Sequence, residues 1–416
     1  MRNWSGHVEF QATELAQPTS VNALQEVVAR HPLVRALGTA HSFNDLADTA
    51  GVQVSVASLP GEVEIDTDRR VARVPAGMRY GEAASALDAQ GWAVHNMASL
   101  GHISVAGTIA TGTHGSGDRN ATLSAAVRGL DLVSATGDLV RLSPDASPAV
   151  FDGAVVALGA LGVVTAVDLA VEPAYEVRQY AFDDVSHAAL LDAFDQTFAR
   201  AYSVSFFTCW APDLVGQIWM KRRSDADGEW AGGGLLDGRP ADGKRHPLPG
   251  HDPVHCTEQQ GVPGRWHDRL PHFRLDFTPS SGDELQTEYL VPRDRAVELL
   301  TDLEALAPRI HPLLQVSEIR TMCGDRLWLS GAYGRDTVGI HFTWRRRPEV
   351  LGLLAELDAL FADRGGRPHW GKLYDADPQS IADRYPRFAD FAALAAQLDP
   401  SGKFRNRTLD GLLGSA

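Results

Sequence analysis

The stretch most suited to chemistry is GHISVAGTIATGTHGSG, running from Gly101 to Gly117. It holds five glycines, five Ser or Thr residues and no acidic residue. Glycine lets the backbone come close to a ligand, and the strip leaves many N–H and hydroxyl donors, which is the chemistry needed to cradle a pyrophosphate. A glycine-rich turn with no ligand has the same composition. A second candidate is Gly38-Thr39-Ala40-His41-Ser42-Phe43-Asn44, at the end of a short strand. Its imidazole is a possible functional group, and a loop histidine is also commonly structural or solvated. Far downstream, Glu318 and Arg320 stand two residues apart, so in a strand both point to one face. A carboxylate acceptor beside a guanidinium fork suits a ligand made of hydroxyls, although a surface ion pair has the same spacing. His341 opens the strand-like HFTW and could reach the same space.

Other chemistries lack their signatures. No G-x-G-x-x-G follows a strand, no Gly-Lys-Ser/Thr occurs, and H-E-x-x-H and paired C-x-x-C are missing. His246, His251, His255 and Cys256 lie close together, but their spacing matches no standard zinc site and reads as a solvated loop, so no metal is expected.

The elements that must carry these residues fall into two kinds. Up to Val171 the pattern alternates helix and strand. Ser20 caps a helix over Val21–Arg30, and a short strand spans Val34–Leu37. Val52–Val56 reads as another strand, and a hairpin turns at Thr67-Asp68. A helix follows over Tyr80–Gln90 with Gly91 at its end, then a strand pair turning at Thr136-Gly137 and a buried strand from Gly162 to Val171. Beyond Tyr175, strand-like runs at 204–207, 218–221, 285–291, 317–322 and 338–344 mix with helices at 296–306 and 350–364, which predicts an antiparallel sheet backed by helices. Residues 223–252 read as a long surface loop, and a helix spans Arg387–Leu398. The fold class is therefore α+β with two domains: 1–174, 175–374, and a segment 375–416 returning to the first.

With 416 residues and a net charge of −15, the chain repels phosphate backbones, and no basic stretch offsets that. Nucleic acid is an improbable partner. Three separated cysteines form no disulfide framework, and MRNWSGHVEF has neither a basic leader nor an apolar core, so a cytoplasmic protein is expected. The longest apolar run, Gly153–Val167, is short for a membrane span and reads as core. No stripe suggests an obligate interface, which favours a monomer.

Taken together, G-x-x-H-S, then S-V-A-G-x-x-A-T-G-T-H-G-S-G, then LGALGVVTAV resemble the FAD domain of the vanillyl-alcohol oxidase family. The segments NMASLGHISVAG, SEIRTM, AYGRDTVGIHFTW, RPHWGK and DPSGKFRN, with TEQQGVPGRWHDRLPHFR between them, are similar to the polyol-oxidising branch of that family over essentially the whole chain. The resemblance implies FAD bonded covalently to His41. It implies a cofactor site from Gly38, Thr39, Ala40, Ser42 and Phe43, from Ser99, His102, Ser104, Gly107, Thr108, Ala110, Thr111, Gly112, Thr113, His114 and Gly115, and from Gly162, Val163, Val164 and Lys372.

The polyol site it implies is Ser99, Glu318, Arg320, His341 and Lys372, with His341, Lys372 and Arg320 acting in catalysis. The expected reaction takes the terminal primary alcohol of xylitol or sorbitol to the aldose, with hydride passing to the flavin and O2 reduced to H2O2. His341 is the expected proton acceptor, while Lys372 either holds the reacting hydroxyl or steadies the reduced flavin. HWGK at His369–Lys372 also resembles the aldonolactone oxidases, so a sugar lactone is the alternative substrate. A carbohydrate-binding protein that has lost its flavin is the remote one. Two departures stand out: Ala40 where the family commonly has Gly or another residue, and Gly101 where relatives often have Pro. No cysteine precedes Cys209, which excludes a second thioether link in the cradle.

Overall fold

Ser20 accepts a hydrogen bond from the Ala23 N–H and starts the helix Val21–Arg30, whose Leu24 and Val28 are buried. That helix packs beside a small parallel sheet in which Val52–Val54 lies between Glu14–Ala16 and Val34–Ala36. In the computed structural model, residues 1–277 and 284–414 are described. A second, antiparallel sheet of the same half takes the strands in the order Glu64–Asp66, Val71–Pro75, Val163–Ala170, Val127–Val133 and Leu139–Leu142. The expected hairpin and buried strand are both in it.

Between these sheets runs the glycine strip. It contains a short helix, Val105–Ala110, that its glycine content does not suggest. Gly162 has φ +150, and a Cβ there would meet the Val133 carbonyl oxygen at 2.5 Å, so only glycine brings the next strand in at this point.

The second half is one large antiparallel sheet. Its central order is Glu176–Ser186, Val215–Arg223, Ser203–Thr208, Leu314–Met322, Thr337–Arg345 and Glu284–Pro292. Strand alternation sorts its faces. Tyr289, Ile319, Ile340 and Phe342 meet Leu299, Leu303, Leu353, Leu357 and Phe361 of the helices Ala296–Ile310 and Pro348–Asp363. Their chain neighbours Glu288, Glu318 and His341 take the opposite face, towards the cavity described below. The eleven-residue strand Glu176–Ser186 was not legible as one run, because polar and apolar residues interrupt each other along it.

The strip ties the two halves together, and the chain's end packs back onto the first half. Gly117 N–H donates to Thr321 O at 2.7 Å, and Asn120 Nδ2 donates to Tyr202 O at 3.1 Å. At the other end, Val34 N–H donates to Lys403 O, and buried Arg35 donates to Phe404 O at 2.6 Å. Asn406 Nδ2 donates to three carbonyls, those of Asp45, Leu46 and Asp48. Among the described residues no helix is long and apolar enough to cross a membrane.

Candidate active site

A cavity of about 870 Å³ lies where the glycine strip meets the large sheet. It falls within the range of about 300–1,000 Å³ usual for ligand pockets. The sheet contributes three adjacent strands whose register puts Glu318 opposite His341 and His341 opposite Glu288, a row of acid, imidazole and acid across one face. One step along, Arg320 lies opposite Gly339. A Cβ at Gly339 would meet His114 Cε1 at 3.2 Å and Glu288 Oε1 at 3.4 Å, so the missing side chain makes room for His114 to reach the row.

The charges are tightly knit. Arg320 donates to Glu288 Oε1 at 2.7 Å, lies 3.6 Å from Glu318 Oε1 and reaches Ser99 Oγ at 3.4 Å. His272 Nε2 meets Glu318 Oε1 at 2.8 Å, and its Nδ1 lies 3.2 Å from Lys221 Nζ, which also donates to Leu270 O. Lys372 donates to Gln286 Oε1 and sits over the Phe43 ring, 5.0 Å from its centroid. Asn44 ties the segments together by donating to Trp370 O and Lys372 O.

Burial tunes these groups. Burial is the largest influence on Lys372 and lowers it to about 8, with Glu288 working the other way. It lowers His341 below its ordinary value, against the pull of the neighbouring Glu288 carboxylate. Burial alone would raise Glu318, but Arg320 and His272 hold it far below the usual carboxylate range. Burial likewise drives His369 to about 3, His272 to about 4 and Lys221 to about 7. The site thus holds neutral imidazoles among carboxylates and cations at neutral pH.

All five residues expected at the polyol site, Ser99, Glu318, Arg320, His341 and Lys372, line this one cavity. So do Gly38, Thr39, Ala40, His41, Ser42, Ser104, Gly107, Thr108, Ala110, Thr111, Thr113, His114, Gly162 and Val164. Five residues expected to hold the cofactor do not reach its wall. Phe43 is fully buried beneath Lys372, and Val163 points into the core of the small parallel sheet, one residue out of phase with Val164. Gly112 turns the chain at the end of the short helix with φ +66, and Gly115 is packed against Asn96 and Met97. His102 stands behind, edge-on to the His41 ring with centroids 5.1 Å apart. His114, expected among the cradle residues, instead sets Nε2 3.1 Å from Glu288 Oε1.

Sequence reading missed Glu288, Gln286, His272, His369 and Lys221. The signal for the first two is the alternation of Glu284, Gln286 and Glu288 with Leu285, Thr287 and Tyr289 in one strand, which gives that strand a polar face of its own.

His114, Glu288 and His369 place possible ligand atoms within 4.8 Å of one another. Their hydrogen bonds oppose a metal there. His369 Nδ1 accepts from Gly371 N–H, which leaves the proton of a neutral ring on Nε2, and Arg320 already occupies Glu288 Oε1.

His41 presents a different chemistry. Its ring lies tilted against Trp4 with centroids 4.3 Å apart, its Nδ1 is buried without a hydrogen-bond partner, and burial, Lys372 and His102 hold it well below its ordinary value. A neutral imidazole with an uncommitted nitrogen beside the strip fits a cofactor-holding wall.

Comparison with known proteins agrees with this division of labour. The family described as "FAD binding domain" matches residues 13–143, and the family described as "D-arabinono-1,4-lactone oxidase" matches residues 283–412. The chain is 47% identical to alditol oxidase of Streptomyces sp. (strain IKD472 / FERM P-14339), over 99% of this chain and 98% of that one. It is 27% identical to L-gulono-1,4-lactone dehydrogenase of Mycobacterium tuberculosis (strain ATCC 25618 / H37Rv), over 99% and 98%, and 26% identical to L-gulonolactone oxidase of Bos taurus, over 98% and 97%. The FAD-binding match covers both the His41 loop and the strip, and the second match covers Glu288, Glu318, Arg320, His341 and Lys372. With that identity sustained from end to end, the chain belongs to the vanillyl-alcohol-oxidase-type flavoproteins, in the branch that contains alditol oxidase.

Proposed function

We propose that this chain oxidises the terminal primary alcohol of an alditol such as xylitol or sorbitol to the aldose. FAD would be held through His41, with O2 as electron acceptor and H2O2 as the second product. The observation that carries the reading is the Glu318–His341–Glu288 row, with Arg320 and Lys372, in the same cavity as the His41 loop and the strip.

In this reading Glu318 accepts hydrogen bonds from substrate hydroxyls, and Arg320 and Ser99 donate to others. Lys372, an ammonium up to about pH 8, holds the reacting hydroxyl oxygen. His341, kept neutral by burial, takes that hydroxyl's proton. FAD, held by the His41 loop and the glycine strip, would supply the hydride acceptor for the same carbon and the route of its electrons to oxygen. Loss of both hydrogens leaves the aldehyde. The uncommitted His41 Nδ1 supports attachment of the flavin at that ring. A cytoplasmic monomer is part of the same proposal.

The test is the visible spectrum of the purified protein under anaerobic conditions, before and after xylitol. Bleaching by xylitol and recovery on admitting air is the expected result. A flavin spectrum that xylitol leaves unchanged would favour the second reading, oxidation of a sugar lactone, which the match over residues 283–412 supports. No flavin at all would overturn both.

A further inference from the structure

We infer that Glu288 is a positioning residue of this site: one carboxylate oxygen favours the Nδ1–H tautomer of His341, and the other anchors Arg320. The inference rests on the polyol-oxidising reading and adds to it a residue outside the expected set.

The geometry is specific. Glu288 Oε2 lies 3.5 Å from His341 Nδ1, directly across the strand pair, an electrostatic contact in which Nδ1 makes no hydrogen bond. Glu288 Oε1 accepts from Arg320 at 2.7 Å and lies 3.1 Å from His114 Nε2. A carboxylate at Nδ1 favours the proton there and leaves a lone pair on Nε2, which is the logic by which an acid orients a catalytic histidine. Nε2 is 3.1 Å from Thr343 Oγ1, a hydroxyl that can rotate aside for a substrate hydroxyl. His114 Nδ1 donates to Gly115 O at 2.9 Å, which orients that ring from its other side. Glu288 is 2% exposed, so removing its charge takes from Arg320 its nearest buried carboxylate.

The groups around His341 fix the sign of the pH effect. Glu288 and Gln286 face the site from one neighbouring strand, and Glu318 and Arg320 from the other. Lys372, His369 and His114 close it from the loops. Glu288 favours the imidazolium, whereas Lys372 and Arg320 oppose it. Glu288→Gln therefore makes His341 a weaker base and moves the acid limb of the rate profile to lower pH. A mutation that only loosened packing and admitted water would relieve burial and move that limb to higher pH.

The experiment is stopped-flow flavin reduction by xylitol, anaerobic and across pH, in wild type, Glu288→Gln and Glu288→Asp. Expected are a loss of about tenfold or more for Gln with the acid limb displaced downward, and partial recovery of both rate and limb for Asp. A Gln variant within about threefold of wild type, or one whose limb moves up, overturns the inference. Should neither variant fold, the wild-type protein decides. The 15N spectrum of labelled histidines, with the His341 signal assigned by its loss in His341→Ala, is expected to show Nδ1 protonated and Nε2 bare. The opposite tautomer overturns the inference. A wild type unreduced by xylitol sinks the polyol reading instead, and the tautomer still tests the hold of Glu288 on His341.

Discussion

His272 and Glu318 are joined at 2.8 Å, Nε2 to Oε1, and both are buried. The carboxylate proposed to bind substrate is therefore oriented from behind by a residue that comes from the loop before the Glu288 strand. A hydrogen bond to a charged group contributes about 1.5–3 kcal/mol. His272→Phe keeps the ring volume and deletes the donor. The KM for xylitol should rise by about tenfold or more while the protein stays folded. A KM within about twofold of wild type would show that Glu318 needs no such support.

Behind His272 stands Lys221, fully buried and lowered to about 7 chiefly by burial. The folded chain then binds this proton more weakly than the unfolded chain, whose lysine titrates near 10.5. Between those values the unfolded state holds more protons, so stability rises with pH, and below about 7 the whole penalty of the buried ammonium is present. Lys221→Met removes that dependence. Melting temperature relative to wild type should be more favourable to the variant at about pH 6.5 than at about pH 9.5. Equal differences at the two pH values would mean that the buried amine does not titrate in this range.

Ala40 adopts φ 55, in the left-handed region that costs a residue with a Cβ about 1–2 kcal/mol. Its carbonyl accepts from Trp4 N–H, so the conformation is held while the next residue, His41, is presented. Ala40→Gly relieves the strain and loses about 0.5–1 kcal/mol through the more flexible unfolded chain. The net expectation is a gain of up to about 1 kcal/mol, read as a higher melting temperature with flavin content unchanged. A lower melting temperature would mean that the Ala40 methyl contributes packing that outweighs the strain.

This last position shows how much was legible in the chain. Ala40 stood out as a departure from a common glycine, and the left-handed backbone supplies the reason. The Glu318–Arg320 pair shared a face because strand alternation is a local rule, and that rule held across the sheet. Which strands lie side by side depends on long-range pairing, so the opposition of Glu288 to His341 was invisible until the register was known. The approach of His114 to Glu288 was hidden for the same reason. Its neighbours in sequence belong to the cradle, while the space it enters is opened by Gly339 more than two hundred residues later.

His41 makes a prediction that does not depend on turnover. If the flavin is bonded to its ring, acid or detergent denaturation of wild type leaves the yellow chromophore on the chain, and intact mass exceeds the sequence mass by one FAD. His41→Ala should release all its flavin under the same treatment, and it should still bind FAD through the strip. Wild type that releases free FAD would end the covalent assignment and leave the cavity as a noncovalent site.

Lys372 is expected to set the alkaline side of catalysis. Its ammonium, lowered to about 8 by burial against the pull of Glu288, donates to Gln286 Oε1 at the cavity wall. If the charged form holds the reacting hydroxyl, flavin reduction falls as pH rises through about 8, because the neutral amine no longer stabilises a departing proton's oxygen. If His341, held below its ordinary value, is the proton acceptor, it provides the rising limb and the expected profile is a bell. Lys372→Met should lower the rate by about 10² and abolish the falling limb, with the rising limb retained. Were Lys372→Met to abolish the rising limb instead, the neutral amine would be the proton acceptor, and His341 would be left with orienting the substrate.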